Sequence, residues 1–254
     1  MPDQEPTFEA TIRPERLRDA IAPASIYDPG VARMTITADG LQIRATDLSR
    51  VSSVDSQLSD AAFDSYRLTP DSIEVGIRPR CILESIALIE PRSHVELCVD
   101  DTDLTIRTSE LKTMFGLEDP SAVVGVLSTQ EYEYPSKVVL RGDELNSAVK
   151  LADLIASQLT IGVAPSGANL YGVATGNTDS VQFSCEPEKM VRSQMADIES
   201  AYPTDYLSRI QREIPDGVTI EMSLGENAPL EIRYSSANGQ GTVQFRVQPT
   251  VRAE

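Results

Sequence analysis

Apolar residues recur along the chain at two spacings. A helical spacing lines up Leu17, Ala20, Ile21 and Ala24, then Ile82, Leu83, Ile86 and Ile89. Leu145, Ala148, Val149 and Ala152 form a third such stripe, and Tyr206, Leu207 and Ile210 a fourth. Between these stripes the period drops to two, as in Met34/Ile36, Leu41/Ile43, Val54/Ser56/Leu58 and Val218/Ile220/Met222, with polar residues between. Strands of that kind bury one face and wet the other, so helices cover the sheets on one side only. The pattern predicts an α+β fold of antiparallel sheets with four amphipathic helices.

The pattern also repeats. Thr11-Ile12-Arg13, ERLRDAIAPAS and ARMTITADGLQIRATD run parallel to Val139-Leu140-Arg141, DELNSAVKLADLIAS and LTIGVAPSGANLYGVAT, about 128 residues later. Leu17 matches Leu145, Ala20 matches Ala148 and Leu41 matches Leu170. The stretch IRPRCILESIALI with HVELCVDDTDLTIRTSELKTMF parallels YPTDYLSRIQREI with GVTIEMSLGENAPLEIRYSSANGQGTVQF. Each half therefore holds two units of strand, helix and three strands. Two similar domains follow, residues 1–117 and 135–254, joined by a connecting loop at 118–134. That loop carries acids, Pro, Gly and Ser, yet Val123, Val124, Val126 and Leu127 form an apolar knot inside it. The knot reads either as a linker pinned to its own domain or as an exposed patch for a partner.

Composition narrows the chemistry. At 254 residues the chain can bury a full core without disulfides or metal, and at 5% aromatics with no Trp that core is aliphatic. The formal charge is −17, and only 4 of the 22 basic residues are Lys. An acidic, Lys-poor surface suits a very salty cytoplasm, where the Debye length is about 3 Å. Local clusters then say more about partners than net charge does. No apolar run approaches a membrane span, and the start MPDQEPTFEA lacks the character of a signal peptide, which points to a cytoplasmic protein. Cys81, Cys98 and Cys185 have no paired spacing and read as reduced, buried small hydrophobes. His94 is the only histidine and falls in the turn Glu90–His94, which argues against a catalytic dyad or a zinc site; no cofactor is implied. Asp100-Asp101-Thr102-Asp103 is the densest carboxylate cluster. A metal-dependent nuclease or phosphotransferase would use it, but its place between two alternating strands reads as a hairpin turn.

The basic residues gather by the helices: Arg13, Arg16, Arg18, Arg78, Arg80, Arg92, Arg141, Lys150, Arg209 and Arg212. Guanidinium forks bind phosphate well, and without interleaved aromatics the fit is to duplex backbone rather than to stacked single strands. The competing reading is a set of solvated helix faces balanced by Asp19, Glu84, Asp153 and Glu213.

The stretch ADGLQIRATDLSRVSSVDSQLSDAAFDSY resembles the signature region of the PCNA sliding clamps, through Gly40-Leu41, Asp47-Leu48-Ser49-Arg50-Val51 and Phe63. The end, NAPLEIRYSSANGQGTVQFRVQPTVRAE, resembles that family's last strand pair and tail, through Pro229-Leu230, Tyr234, Gly241 and Pro249-Thr250-Val251. The resemblance spans Thr7 to Val251 and is nearest to archaeal clamps, notably in RATDLSRV and DYLSRIQREIP.

It implies a clamp fold whose rings form from three subunits head to tail around duplex DNA. The edges that join would be near Lys112–Leu117 and Ser180–Glu186. The helices would line the hole, with Arg13, Arg16, Arg18, Arg78, Arg80, Arg141, Lys150, Arg209 and Arg212 facing phosphate. Partners would be DNA polymerase, a clamp loader and other proteins with a PCNA-interacting peptide, a short segment carrying a Gln and apolar-aromatic anchors. The resemblance places that peptide's pocket at Val51, Val124, Val126, Leu127, Pro229, Gln248, Pro249 and Val251. Thr46 and Ser53 stand where the family has aliphatic residues, Gln248 where it has a small one, and Arg246 where it often has an apolar one. The expected role is a homotrimeric processivity factor for replication and repair, not an enzyme. A heterotrimer subunit, a clamp decoy or a monomeric factor holding DNA by charge alone are the alternatives.

Overall fold

A computed structural model describes residues 6–27, 30–123, 132–163, 169–194 and 196–250. The chain forms two compact units, Met1–Leu127 with Ser235–Val243, and Ser128–Tyr234 with the residues from Gln244 on.

In the first half the order is β1 (Phe8–Ile12), α1 (Pro14–Ile21), β2 (Ala32–Thr37), β3 (Gly40–Thr46), β4 (Ser52–Ser59), β5 (Ser65–Leu68), β6 (Ser72–Ile77), α2 (Pro79–Ile86), β7 (Val95–Val99), β8 (Asp103–Arg107) and β9 (Lys112–Gly116). The second half runs β10 (Ser136–Arg141), α3 (Asp143–Ile155), β11 (Gln158–Val163), β12 (Leu170–Thr175), β13 (Ser180–Cys185), β14 (Met190–Gln194), β15 (Ile198–Pro203), α4 (Thr204–Glu213), β16 (Thr219–Leu224), β17 (Leu230–Ser236) and β18 (Gly241–Val247). Neighbouring strands follow the orders β5-β1-β7-β8-β9 and β4-β3-β2-β6 in the first half. In the second half the orders are β14-β10-β16-β17-β18 and β13-β12-β11-β15. Each second-half order is the first-half order advanced by nine strands, so the internal repeat read in the sequence is a repeat of topology.

Each half has one strand more than the repeat predicts. β5 and β14 pair antiparallel with β1 and β10, as in Phe8↔Leu68 and Lys137↔Gln194. The reason they escape notice is plain in β5: none of its four residues is buried, so no apolar alternation marks it.

Local chemistry sets the helix ends. Pro14 and Pro79 open α1 and α2, where a missing N–H costs no hydrogen bond. α1 stops at Ile21 because Pro23 cannot continue the ladder; a short 3-10 turn carries Ala24 into the core instead. α2 ends at Ile86, leaving Ile89 in the following turn rather than on the helix. The core is mostly aliphatic: Ile12, Ile36, Ile43, Leu58 and Ile82 in the first unit, and Leu140, Leu159, Ile210 and Ile220 in the second, are at most 2% exposed, as are the aromatic Phe8, Tyr202 and Phe245. Cys81 departs from expectation. It lies on the side of α2 away from Ile82 and Ile86 and is exposed, whereas Cys98 is half-buried and Cys185 buried.

Candidate nucleic-acid and partner interface

The basic residues named for DNA fall into place on or beside the helices, but most are engaged. Arg16 donates to the Ala62 carbonyl at 2.6 Å and Arg80 to the Ser25 carbonyl at 3.2 Å. Arg18 lies 3.3 Å from Asp19, Arg78 3.8 Å from Glu118, and Arg209 3.5 Å from Asp205 with its guanidinium over the Tyr206 ring. Arg141 grips Asp143 through two bonds of 3.0 and 2.9 Å, which hold that carboxyl below the usual carboxylate range. Arg212 donates to the Ser208 hydroxyl at 3.3 Å. Arg13 stands just before α1, makes no capping bond with its side chain and is exposed; Lys150 is exposed on α3 and makes no ion pair among the described residues. The four helices together carry six basic and eight acidic side chains, so their surfaces are charge-matched rather than strongly positive.

Both strands named as joining edges are edges. β9 ends the order β5-β1-β7-β8-β9, and β13 ends β13-β12-β11-β15. Along β9, Lys112, Met114 and Gly116 are exposed while Thr113 and Phe115 are half-buried; β13 repeats this with Ser180, Gln182 and Ser184 exposed and Val181 and Phe183 half-buried. The Phe183 ring lies across Gly172 of β12, where a Cβ would come within 1.9 Å of it. β4, the counterpart of β13, is not open. In the first unit the Ser59 amide donates to the Gln240 carbonyl at 2.9 Å, and the Gln240 side chain donates to the Ala61 carbonyl at 2.9 Å.

Sequence reasoning missed a second feature of these edges. The helix beside each one, or the turn just after it, exposes leucine. α3 packs on β13 and leaves Leu151 50% and Leu154 81% exposed. α2 meets β9 through a Ser85–Thr113 hydroxyl bond of 3.1 Å, and Leu88, just past its end, is 79% exposed. The signal was present: Leu151 and Leu154 fall off the Leu145/Ala148/Val149/Ala152 stripe and put apolar residues on a polar face.

The expected peptide pocket is described only in part. Val124, Val126, Leu127 and Val251 lie outside the described residues. Val51 is half-buried in the first unit; in the second unit Pro229 is buried, and Gln248 and Pro249 are partly exposed. The turn before Val51 explains the Asp-Leu-Ser-Arg-Val signature locally. The buried Asp47 carboxylate accepts the amides of Ser49 at 2.9 Å and Ser52 at 2.6 Å, and Arg50 takes a left-handed φ of 57°. Thr46 and Ser53 sit opposite each other and are buried, and the Thr46 hydroxyl has no partner among the described residues. In the second unit, the Thr250 amide and hydroxyl both donate to the Ala201 carbonyl, at 2.8 and 3.0 Å, which holds the run after β18 in place.

Comparison with known proteins agrees with this architecture. PCNA of A. fulgidus, solved with the C-terminal region of FEN-1 bound, superposes with a TM-score of 0.87 at 22% identity, covering 97% of this chain and 100% of that one. PCNA of Thermococcus kodakaraensis gives 0.83 at 23% identity, over 96% and 100%. The chain has the PCNA fold. Curated relatives called DNA polymerase sliding clamp match throughout: that of Methanosarcina mazei is 29% identical over 249 residues, and that of the halophile Haloarcula marismortui 26% over 247, each covering 97% of this chain and 100% of the relative. No protein-family model matches the chain.

Within the PCNA fold the other candidate chemistry is accounted for by local structure. Asp100 turns β7 into β8, its carboxylate accepting the amides of Thr102 at 2.9 Å and Asp103 at 2.8 Å; those bonds hold its carboxyl below the usual range. His94 places Nε2 3.3 Å from the Asp64 carboxylate, with both side chains about half exposed. Burial pushes the Cys98 and Cys185 thiols up. No helix among the described residues is long and apolar enough to cross a membrane.

Proposed function

We propose that this chain is a DNA sliding clamp, a cytoplasmic processivity factor that encircles duplex DNA as a homotrimer and docks polymerase, clamp loader and repair proteins. The observation that carries the reading is the nine-strand repeat, in which β4 is covered while its counterpart β13, like β9, ends its sheet uncovered. β9 is to the first half what β18 is to the second, and β4 is to the first what β13 is to the second. Gln240, just before β18, covers the end of β4 at Ser59. β9 of one copy laid on β13 of the next is the same kind of join, and it would remove two edges that otherwise invite aggregation. Such a head-to-tail contact closes into a ring when the rotation per subunit is right. The end-to-end likeness to solved PCNA chains supports a clamp subunit, and the resemblance to that family implies three copies per ring.

The charge-matched helices favour a topological mechanism. A factor that neutralises Z phosphates loses affinity with a log–log salt slope of roughly −0.9Z, so grip by charge fades in molar salt while encirclement does not. Arg13, Arg16, Arg18, Arg78, Arg80, Arg141, Lys150, Arg209 and Arg212 then serve as sliding contacts rather than an anchor, with Lys150 and Arg13 the least engaged within the chain. The role calls for no catalytic residue. The FEN-1 segment bound to the A. fulgidus protein supports peptide docking here; the clamp resemblance would put that peptide at Val51, Val124, Val126, Leu127, Pro229, Gln248, Pro249 and Val251.

Light scattering on a sizing column in low and in molar salt tests the reading. A mass near three times 27.7 kDa, with polymerase stimulation on circular templates that survives molar salt, is the expected result. A monomer in both salts would refute the homotrimer and favour a heterotrimer subunit. Stimulation equal on linear and circular DNA and lost with salt would favour the charge-based factor.

A further inference from the structure

Where the chain leaves β9 it is fastened at once to another strand of the first unit. Gly76 on β6 and Glu118 exchange both backbone hydrogen bonds, each at 2.8 Å, as an isolated two-residue bridge. The approach demands glycine: a Cβ on residue 76 would lie 2.8 Å from both the Cβ and the carbonyl oxygen of Glu118. Arg33 stands directly opposite Gly76 in the β2–β6 ladder. Its guanidinium reaches in two directions, Nη2 donating to the Pro120 carbonyl at 2.9 Å while Nη1 holds the Glu74 carboxylate at 2.9 Å. Asp119 accepts the Ser121 amide at 2.8 Å and starts a short turn, after which Val123 is buried. The course of residues 117–123 is therefore set by β2 and β6, just before the chain reaches Val124, Val126 and Leu127.

We propose that Arg33 and Gly76 form a clip that positions the start of the interdomain linker for partner-peptide docking. The inference rests on the docking reading above. Arg33 is a positioning residue: it acts through Pro120 and Glu118, not through the peptide. A peptide that binds under a loose linker must also order it, and that ordering is subtracted from its affinity; a linker already fixed at its start leaves less to order. As a pair still partly open to solvent on the Glu74 side, Arg33–Glu74 contributes little by itself. Its value is geometric, because a planar fork can hold a carboxylate and a carbonyl at once where a lysine holds them less rigidly.

Calorimetry on the full chain, with a synthetic peptide carrying the Gln and apolar-aromatic anchors, provides the test. Arg33→Met keeps the aliphatic stem and removes the fork; it should weaken binding roughly three- to tenfold. Gly76→Ala should do the same from the other side, and the double variant should bind no worse than the weaker single one, because both break one clip. Arg33→Lys should recover part of the loss. Amide exchange at Glu118, whose N–H the clip holds, should speed up in step with the loss, with the oligomeric mass unchanged. Peptide binding by Arg33→Met equal to wild type would overturn the inference, as would a loss unaccompanied by faster Glu118 exchange. Wild-type protein that binds no such peptide would overturn the docking reading itself, and it is distinguished because it precedes any substitution.

Discussion

Truncating Leu151 and Leu154 to alanine together should dissolve the proposed ring while sparing the subunit. These side chains lie on α3 beside the open edge β13 and are 50% and 81% exposed in the single chain. Full burial of a leucine is worth about 1.5–3 kcal/mol, so covering the exposed fractions in a β9–β13 join contributes about 1 kcal/mol for Leu151 and about 2 for Leu154. Losing about 3 kcal/mol at an interface weakens it by roughly two orders of magnitude, and a ring has three such interfaces. Light scattering over a dilution series should show wild type as a trimer where the double variant is a monomer. Far-UV circular dichroism should not change, because neither side chain is part of the subunit core. Leu48, 66% exposed on the turn after β3, is the control, and Leu48→Ala should leave the mass alone. A double variant that tracks wild type through the same dilutions would refute the assignment of the α3 face to the join.

Gly40→Ala should lower the thermal midpoint sharply. Gly40 has φ 133°, and a Cβ there would sit 2.1 Å from the Leu58 carbonyl oxygen, a backbone atom that cannot step aside; a loss of about 2–4 kcal/mol in denaturant unfolding is expected, and a loss below about 0.5 would contradict the geometry. Stability should also fall in acid. The carboxyls of Asp100, Asp119 and Asp143 are held below their ordinary value of 3.8, by the Thr102 amide, by Ser121 and by Arg141 respectively. Depressed groups stabilise the folded state above that value and lose the contribution as pH drops through and below it, so urea midpoints should be flat from neutral to about pH 5 and then decline. Asp100→Asn should make the decline shallower; an unchanged profile would mean that the turn contributes no linkage.

How much was legible depended on which forces acted locally. The four apolar stripes became α1 to α4, because a buried helix face must recur every three to four residues. Asp47–Val51 stood out only through the clamp resemblance, and the structure shows a turn held by its sequence neighbours, the Asp47 carboxylate accepting the Ser49 and Ser52 amides. β5 and β14 were not legible. β5 is held by ladder bonds to β1, which is already paired with β7 along its other edge, and backbone pairing leaves no side-chain pattern. The basic residues were found, but not their engagement: Arg16 bonds to Ala62 and Arg78 pairs with Glu118, partners 46 and 40 positions away that no local spacing reveals. Likewise Arg33 reads as an ordinary strand residue until β6 brings Gly76 and the linker beside it.

The sequence by itself determined the secondary elements, the aliphatic core, the twofold internal repeat and the likeness to the PCNA clamps, since periodicity and repeated order are written along one dimension. The clamp resemblance named the two joining edges; only the tertiary structure decided that β4 is covered, which arginines are already engaged, that leucines flank both edges, and that the linker starts from a clip. Each of these depends on which distant segments come into register, and that is settled by packing across the sheets rather than by any run of neighbouring residues.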